Sequence, residues 1–220
     1  MKIYFHANNK ATLEALQKCG VRNVFLSHKY SHNISTFSKC FDDIFISSGV
    51  NDDQNKYYEF LENEKGHYTR ASQFFIPNDR NTTYDIYKHE KDIGLKTIPV
   101  LQEDYMKHLS LLNLPINSNI CVGKMKGRFD TEDSIKKLPT NNNYHGLGKG
   151  KFIQNSIFSS IDTSLWISAA MAKKFDIWHN GTIIHVDFRK DSKPSPVLKH
   201  YCEEYKDYMD MVGINWYGVE

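Results

Sequence analysis

Short apolar segments with strand character alternate with helix-compatible stretches along most of this chain. Eight segments have that character: Ile3–His6, Asn23–Ser27, Asp43–Ser47, Ser72–Ile76, Ile98–Gln102, Asn119–Gly123, Tyr144–Gly146 and Ile157–Ile161. Apolar residues at helical spacing occupy most of the intervals, as in Ala11–Lys18, Lys56–Glu62 and Tyr105–Leu112. Because parallel strands need a crossover connection, which is usually a helix, the alternation predicts an α/β fold with a parallel sheet.

Eight strand–helix units are the number that forms a (β/α)8, or TIM-type, barrel. A core of residues 1–174 is short for that fold, so we expect some of the helices to be reduced to a turn. An open, doubly wound sheet is the alternative arrangement of the same units. The prediction is therefore a short TIM-type barrel, with the open sheet as the competing architecture.

The pattern changes after the last predicted strand. Leu165–Lys174 is expected to be the last barrel helix, and Phe175–Trp178 and Thr182–Phe188 then flank Asn180-Gly181, a strong signal for a β-hairpin. A further run of apolar positions at helical spacing predicts a terminal helix. We predict one domain over residues 1–220, with a barrel core in residues 1–174 and a C-terminal hairpin and helix in residues 175–220.

Composition restricts the partners and the compartment. The formal net charge is only +2, so any affinity for nucleic acid must come from clustered cations. The 4 cysteines lie far apart without a C-x-x-C pair, which argues against a zinc knuckle or a redox motif and is typical of a reducing compartment. No segment reaches the roughly 18 apolar residues of a membrane span, and the start of the chain does not resemble a signal peptide. We expect a cytoplasmic protein with no metal, no cofactor and no membrane association.

A barrel builds its active site at the C-terminal ends of its strands. The residues at the predicted strand ends are His6, Ser47, Ser48, Gly49, Pro77, Gln102, Gly123, Lys124, His145, Gly146 and Asp162. Asp162, in S-S-I-D-T-S-L-W, is either a helix N-cap or a nucleophile that attacks the anomeric carbon of a sugar. The sequence alone leaves both interpretations open.

The turn H-G-L-G-K-G follows the seventh predicted strand. Gly146, Gly148 and Gly150 let backbone amides approach a ligand closely, so a base carbonyl or a phosphate is a candidate occupant. The spacing matches neither a P-loop nor a dinucleotide-binding fingerprint. His145 is either a half-buried structural histidine or a catalytic one.

Basic residues cluster after the sixth and seventh predicted strands. The cluster consists of Lys124, Lys126, Arg128, Lys149 and Lys151. These cations would lie in one sector of the barrel mouth that also holds Asp162, an arrangement suited to a phosphate backbone. Ordinary solvated surface side chains are the alternative.

Several of these segments form an ordered set of motifs. The set is D-I-F-I-S-S-G-V, I-P-V-L-Q, N-I-C-V-G-K-M, H-G-L-G-K-G and S-S-I-D-T-S-L-W. From Ile3 to Gly181 the chain resembles the tRNA-guanine transglycosylase superfamily, especially its short branch from phages and bacteria that puts deazaguanines into DNA. Members of that superfamily are barrels in which an aspartate expels guanine and holds the nucleic acid covalently until a deazaguanine takes its place.

The resemblance implies substrates and residue roles. It implies a bacterial or phage-infected host cell, DNA in preference to tRNA, and a free 7-deazaguanine base. Asp162 matches the nucleophile, and the basic cluster is assigned to the nucleic-acid backbone. The residues matched to base contacts and to the supporting turn are Gln102, Gly123, His145, Gly146 and Gly148. The aromatic candidates for stacking on an extruded base are Phe74, Phe75 and Trp166.

The departures from the family concern carboxylates. Where the family has an Asp-Ser-Gly turn with a general base, this chain has Ser47-Ser48-Gly49, and a serine cannot perform a carboxylate's proton transfer unaided. Where a second family aspartate reads the guanine edge, this chain has Gln73-Phe74. Candidates for the missing carboxylate are Asp79, Glu103 and Asp104, or a group from a partner subunit or oligomer. The zinc-binding cysteines of the tRNA enzymes are also absent.

Three functional hypotheses follow. The first is a base-exchange transglycosylase, a pentosyltransferase with Asp162 as nucleophile and Ser47 in the place of the general base. The second is a catalytically degenerate relative that binds nucleic acid or a partner enzyme. The third is a glycosyl-cleaving enzyme that releases a base into water. We favour the first.

Overall fold

The computed structural model describes residues 2–18, 20–31, 34–49, 52–77, 79–102, 104–123, 132–148, 157–164, 174–179 and 182–187. The strands are β1 (Lys2–Ala7), β2 (Asn23–Ser27), β3 (Asp43–Ser47), β4 (Arg70–Ala71), β5 (Val100–Leu101), β6 (Asn119–Val122), β7 (Asn143–Gly146), β8 (Phe158–Thr163), β9 (Lys174–His179) and β10 (Thr182–Asp187). The helices are α1 (Lys10–Lys18), α2 (Ile34–Phe37), α3 (Gln54–Asn63), α4 (Arg80–Asp92), α5 (Tyr105–Leu112) and α6 (Glu132–Lys136). The predicted strands at Asn23–Ser27 and Asp43–Ser47 and the predicted helix at Tyr105–Leu112 are confirmed at both ends.

The first eight strands form one curled, all-parallel sheet in the order β4-β3-β2-β1-β8-β7-β6-β5. Except for β4 and β5, consecutive strands of this sheet lie side by side, and β1 pairs with β8, as in a TIM-type barrel opened between β4 and β5. The predicted α/β fold with a parallel sheet is therefore confirmed. No strand ladder joins β4 to β5 within the described residues, and the two edges meet through a single parallel bridge between Ser72 and Ile98.

Backbone and side-chain hydrogen bonds join β4 to β5. Ile98 donates its backbone N–H to Ala71 at 2.8 Å and accepts from the backbone N–H of Gln73 at 2.8 Å. The side-chain oxygen of Gln73 accepts the N–H of Val100 at 2.9 Å, and its amide nitrogen donates to the Thr83 carbonyl at 2.8 Å. The Gln73 side chain thus occupies the place of a ladder bond that the backbone does not make.

The predicted bounds of β4 and β5 are wrong for this reason. Ser72–Ile76 was predicted as the fourth strand, but β4 ends at Ala71. The fifth strand was predicted over Ile98–Gln102, and β5 covers only Val100–Leu101. Side-chain hydrogen bonds replace the regular backbone ladder here. The extended residues next to β4 and β5 therefore do not belong to either strand.

Alternation of side chains along the strands produces two hydrophobic layers. The larger layer packs one face of the sheet against the helices, as Ile3 and Phe5 of β1 do with Leu13 and Leu16 of α1. The smaller layer fills the concave face and consists of Tyr4, Phe25, Phe45, Val100, Cys121 and Leu147. The period of two residues that predicted the strands therefore also sorts their side chains between the two layers.

A buried carboxylate closes the N-terminal end of the sheet. Asp43, the first residue of β3, accepts hydrogen bonds from the Tyr4 hydroxyl at 2.6 Å and the Lys2 ammonium at 3.1 Å. Thr69 donates to the same carboxylate, and an Arg70 guanidinium nitrogen lies 3.3 Å from it. Burial opposes ionisation of Asp43, but these donors and the Arg70 charge together lower its pKa. This cluster lies at the opposite ends of the strands from the residues predicted to be functional.

The C-terminal prediction is confirmed in part. Strands β9 and β10 pair in antiparallel fashion, with Thr182 opposite His179, so the predicted hairpin is present. Lys174 begins β9 and does not end the predicted last barrel helix. The remainder of that helix, residues 165–173, and the predicted terminal helix lie outside the described residues. In the part of the chain that the structure describes, no helix has the length and apolar character to cross a membrane.

Glu90 of α4 makes the junction between β4 and β5 sensitive to pH. Its fully buried carboxylate accepts the Phe74 N–H at 2.8 Å and the Thr97 hydroxyl at 2.5 Å. Burial raises the pKa of Glu90 to about 7, and the hydrogen bonds from Thr97, Phe74 and Tyr58 only partly offset that effect. Because the folded state holds this proton more tightly than the unfolded state, the stabilisation is present below pH 4.5 and is lost as the pH rises to about 7.

Glu90→Gln is expected to remove this pH dependence. The glutamine oxygen can accept the Phe74 N–H and its amide can donate to Thr97, with no charge to bury. The variant should therefore be more stable than wild type at pH 8 by about 3 kcal/mol and nearly equal to it at pH 4. Urea unfolding across this pH range measures the difference. Asp92→Asn, at an exposed position of the same helix, is the control, and an equal gain in that variant would contradict the assignment to Glu90.

Candidate active site

Asp162 lies near the C-terminal end of β8 and is 1% exposed. Both of its carboxylate oxygens accept the backbone N–H of Gly148 at 2.9 Å. His6 Nε2 lies 2.5 Å from Oδ2, and His145 Nε2 lies 3.2 Å from Oδ1. Asp162 is therefore a strand residue whose carboxylate contacts β1, β7 and the turn after β7, and the helix of the N-cap interpretation, residues 165–173, lies outside the described residues.

The surroundings of Asp162 favour its ionised form. Burial alone would raise the pKa of this carboxyl group. The charge of His6 and the hydrogen bonds from His145 and His6 outweigh that effect and hold the pKa of Asp162 well below its usual range. The site thus presents a carboxylate that is buried and still negatively charged at neutral pH.

His145 is a fixed donor to Asp162. Burial lowers the pKa of His145, and its contacts with the Asp162 carboxylate only partly counteract this effect, so we assign a neutral ring. With Nε2 donating to Asp162, Nδ1 accepts from the Ser160 hydroxyl at 2.8 Å. The ring also packs against Phe45, with centroids 4.6 Å apart, and edge-on against Tyr4. These contacts fix the orientation of the histidine.

His6 is the accessible partner of Asp162. It lies at the C-terminal end of β1, and its side chain is 31% exposed, whereas that of His145 is 5% exposed. The His6 ring stacks on Phe25 with centroids 4.5 Å apart and planes at 22°. A group approaching Asp162 from solvent would meet His6 before it met His145.

The H-G-L-G turn contacts the Asp162 carboxylate through one backbone amide. Gly146 ends β7, and Leu147 packs in the concave hydrophobic layer while donating its N–H to Val122 at 3.0 Å. Gly148 follows in the left-handed region with φ +62°, which turns its amide toward Asp162. Its amide is thus engaged with the carboxylate, and Gly148 itself is exposed.

Gln102 and Gly123, the two residues predicted to contact the base, lie next to each other. A Cβ at Gly123 would lie 3.3 Å from the Gln102 side-chain nitrogen and 3.1 Å from the Leu101 carbonyl. The Gly123 carbonyl accepts from the Tyr105 hydroxyl at 2.8 Å. The sequence indicated neither this bond nor the anchor of Gln102, whose backbone N–H donates to His108 Nδ1 at 2.9 Å. Burial lowers the pKa of His108 to about 4, which keeps this acceptor unprotonated near neutral pH.

The Ser47-Ser48-Gly49 turn at the end of β3 holds its hydroxyl groups in local bonds. The Ser47 hydroxyl accepts the Gly49 N–H at 3.3 Å, and the Ser48 hydroxyl lies 3.4 Å from the Gly49 carbonyl. Ser47 is 5% exposed and Ser48 is fully buried. The predicted catalytic serine therefore lies at the expected strand end and takes part in the structure of the turn.

Asp52 is a buried carboxylate behind this turn that sequence reasoning missed. Its side chain is fully buried, and its oxygens lie 2.8 Å from His28 Nδ1 and 2.6 Å from the Lys29 ammonium. The same His28 nitrogen lies 3.1 Å from the Ser48 carbonyl. A signal was available in S-S-G-V-N-D-D, where an acid follows the turn by three residues, but only the fold shows which of the two aspartates faces inward.

Gly49→Ala is expected to destabilise this turn. Gly49 has φ +79°, and an added Cβ would lie 2.9 Å from both the Asp52 carboxylate and the Ser27 hydroxyl. Gly20 has φ +73° with nothing within 4 Å of the Cβ position among the described residues, so Gly20→Ala measures the backbone cost alone. We expect about 1 kcal/mol for Gly20→Ala and about 2–4 kcal/mol for Gly49→Ala in urea unfolding. Equal losses of stability in the two variants would contradict close packing around the turn.

The other predicted residues include a buried aromatic side chain, two helix N-caps and several positions outside the described residues. Phe74 is buried in the larger hydrophobic layer and packs against Tyr57, with ring centroids 6.1 Å apart. Asp79 and Asp104 are N-caps of α4 and α5 and accept backbone N–H groups there. The predicted residues that lie outside the described part of the chain are Glu103, Lys124, Lys126, Arg128, Lys149, Gly150, Lys151 and Trp166.

Two searches bear on what the site could hold and what it resembles. Among the described residues, no group of three or more histidine, cysteine, aspartate or glutamate side chains is arranged to hold a metal ion. Comparison of the chain with protein-family models, with curated proteins and with solved structures finds no match.

Proposed function

We propose that the protein is a base-exchange transglycosylase that replaces guanine in nucleic acid with a 7-deazaguanine through a covalent aspartyl intermediate. The observation that supports this proposal best is the buried, ionised Asp162 at the C-terminal end of the curled sheet, held by His6, His145 and the Gly148 amide. We also propose that the sheet is a short TIM-type barrel whose edges meet at the bridge between Ser72 and Ile98. The C-terminal mouth of such a barrel is where catalytic residues from different strands converge.

In this mechanism Asp162 attacks the anomeric carbon as the bond to the base breaks. The carboxylate accepts from three donors, one of which, the Gly148 N–H, is shared by both oxygens, so a contact must open at the oxygen that is to bond to carbon. His145 is locked by Ser160 and by aromatic packing, whereas His6 is part-exposed. Oδ2, the oxygen that faces His6, is therefore the proposed attacking atom.

The remaining residues have the roles in this proposal that the sequence predicted for them. Gln102 and Gly123 would read the purine, since the fold brings them together at neighbouring strand ends. The basic cluster defined above would hold the phosphate backbone, and the target base must leave the stack for its sugar carbon to be reached. DNA is the proposed polymer, in keeping with the branch of the family that the chain resembles.

The test is exchange of labelled guanine into polymer. The purified protein is incubated with radiolabelled guanine and, separately, with single-stranded DNA, double-stranded DNA and tRNA. We expect label to enter DNA and an unlabelled 7-deazaguanine to displace it. Binding that weakens steeply with salt, with neither exchange nor base release, would contradict the proposal and favour the degenerate relative instead.

One observation favours a second candidate function, a glycosyl-cleaving enzyme that releases a base. The Asp162 carboxylate accepts from two histidine rings and from the Gly148 N–H that its oxygens share, and such contacts are also how an aspartate orients a histidine that activates water. In that case His6 is a general base and Asp162 never bonds to carbon. Base release without an incoming base, and without any covalent intermediate, would support this candidate over the first.

A further inference from the structure

We propose that His6 is a catalytic residue that transfers the proton between the enzyme and the exchanging base. The proposal rests on the transglycosylase function and deepens it. It answers a question that the sequence raised: Ser47 stands where the family has its general base, and a serine cannot replace a carboxylate in proton transfer unaided. His6 lies on a different strand from Ser47 and contacts the proposed nucleophile itself.

The position of His6 suits a proton carrier. Its Nε2 lies 2.5 Å from Asp162 Oδ2, so its proton is directed at the oxygen that is to bond to the sugar. Once that oxygen bonds to carbon it becomes a poor acceptor, and the proton of His6 becomes available to an acceptor atom of the departing base. The stack on Phe25 holds the ring plane, and the 31% exposure of the side chain lets the proton be replaced from solvent.

Among the described residues near the strand ends, the other histidine and the aspartates already have partners. His145 is sealed among Phe45, Tyr4 and Ser160, and its proton serves Asp162 Oδ1. The Asp52 carboxylate is paired with His28 and Lys29, which anchor it behind the turn after β3. Of the three carboxylates that the sequence offered, Asp79 and Asp104 cap their helices, and Glu103 lies outside the described residues.

The proposed step needs no reagent besides the protein, the nucleic acid and the exchanging bases. Asp162 Oδ2 forms a bond to the anomeric carbon while that carbon loses its bond to the base nitrogen, whose electron pair leaves with the base. The proton on His6 Nε2 passes to the departing base, which leaves neutral, and His6 becomes neutral. In the second half, His6 takes the proton of the incoming base, whose nitrogen bonds to the carbon as the aspartyl ester breaks.

The test compares two leaving groups. Guanine departs from a nucleotide as an anion unless it is protonated, whereas 7-methylguanine already carries a positive charge and departs neutral. His6→Gln keeps an amide donor for Asp162 but cannot transfer a proton. We expect His6→Gln to slow adduct formation on guanine-containing DNA by about 10²–10⁴-fold and to stay within roughly tenfold of wild type on DNA containing 7-methylguanine.

His145→Gln is the matched comparison, because His145 also donates to Asp162 but is sealed from the substrate. The rate of adduct formation by His145→Gln should fall by similar factors with guanine and with 7-methylguanine, because a residue that only positions the nucleophile affects both reactions. Thermal unfolding of each variant shows whether it is folded at the assay temperature, and His6→Asn serves in the assay if His6→Gln does not fold. Equal losses on both leaving groups in the His6 variant, or no loss on either, would overturn the proton-transfer role.

The two proposals fail in different ways. If wild type releases both bases but never forms an adduct, the aspartyl intermediate is wrong. A leaving-group dependence of base release in His6→Gln would still support proton transfer by His6 in that case. If wild type forms the adduct and His6→Gln shows no leaving-group dependence, only the role of His6 is overturned. If wild type neither releases a base nor forms an adduct, both proposals are overturned.

Discussion

Asp162→Asn is expected to abolish base exchange, because the amide has no charge and is a very poor nucleophile. Loss of a nucleophile in a covalent mechanism typically lowers the rate on the order of 10⁴-fold or more. The Gly148 amide can still donate to the asparagine oxygen, and a neutral His6 or His145 can accept from its amide group, so the variant should fold. The incorporation rate of labelled guanine measures the loss.

Asp43→Asn is the matched control for this prediction. Asp43 is also a buried aspartate with a lowered pKa, but it lies at the opposite end of the sheet, bound to Tyr4 and Lys2. That variant should lose stability and retain its exchange rate per folded molecule. Equal loss of exchange in the two variants would show that removing a buried charge, and not removing the nucleophile, explains the effect of Asp162→Asn.

Gln73→Ala is expected to cause a large loss of stability. The substitution leaves the buried N–H of Val100 without the acceptor that lies 2.9 Å away, removes the bond to the Thr83 carbonyl, and leaves a cavity where β4 meets β5. Together these effects should lower the free energy of unfolding by about 3–5 kcal/mol. Urea unfolding at a fixed pH measures the change.

Gln73→Met separates the cavity from the hydrogen bonds. Methionine restores most of the side-chain volume but cannot accept the Val100 N–H or donate to Thr83. We expect Gln73→Met to lose about 1–2 kcal/mol less than Gln73→Ala while remaining clearly destabilised. A methionine variant as stable as wild type would contradict the role assigned to the Gln73 hydrogen bonds in joining the two edges.

The strands with a clean alternation of side chains were predictable from the sequence. The pairing of β2 with β3 runs from Asn23 opposite Asp43 to Ser27 opposite Ser47, which are the ends of the two predicted segments. Both segments were recognisable because each has apolar residues for both hydrophobic layers. The junction between β4 and β5 was not predictable. Its bonds come from Gln73 and from Glu90 on α4, and a local pattern carries no sign of such long-range side-chain contacts.

The candidate site was predictable only as a set of strand ends. His6, His145 and Asp162 were all in that set, and the parallel pairing of β1, β8 and β7 explains why they meet. The sequence could not show that Asp162 is buried, or that His6 contacts it across a separation of 156 residues. Phe74 was predicted to contact the base, and its burial against Tyr57 arises from packing with a helix that the motif comparison does not consider.

The most direct test of the account is the identity of the residue that bonds to the sugar. Wild-type protein is incubated with guanine-containing DNA, with no incoming base and with released guanine removed, and is then denatured and digested for peptide mass spectrometry. We expect one covalent adduct, on the peptide containing Asp162, that is absent from Asp162→Asn. An adduct on another residue such as Ser47, or exchange that proceeds with no adduct at Asp162, would contradict it.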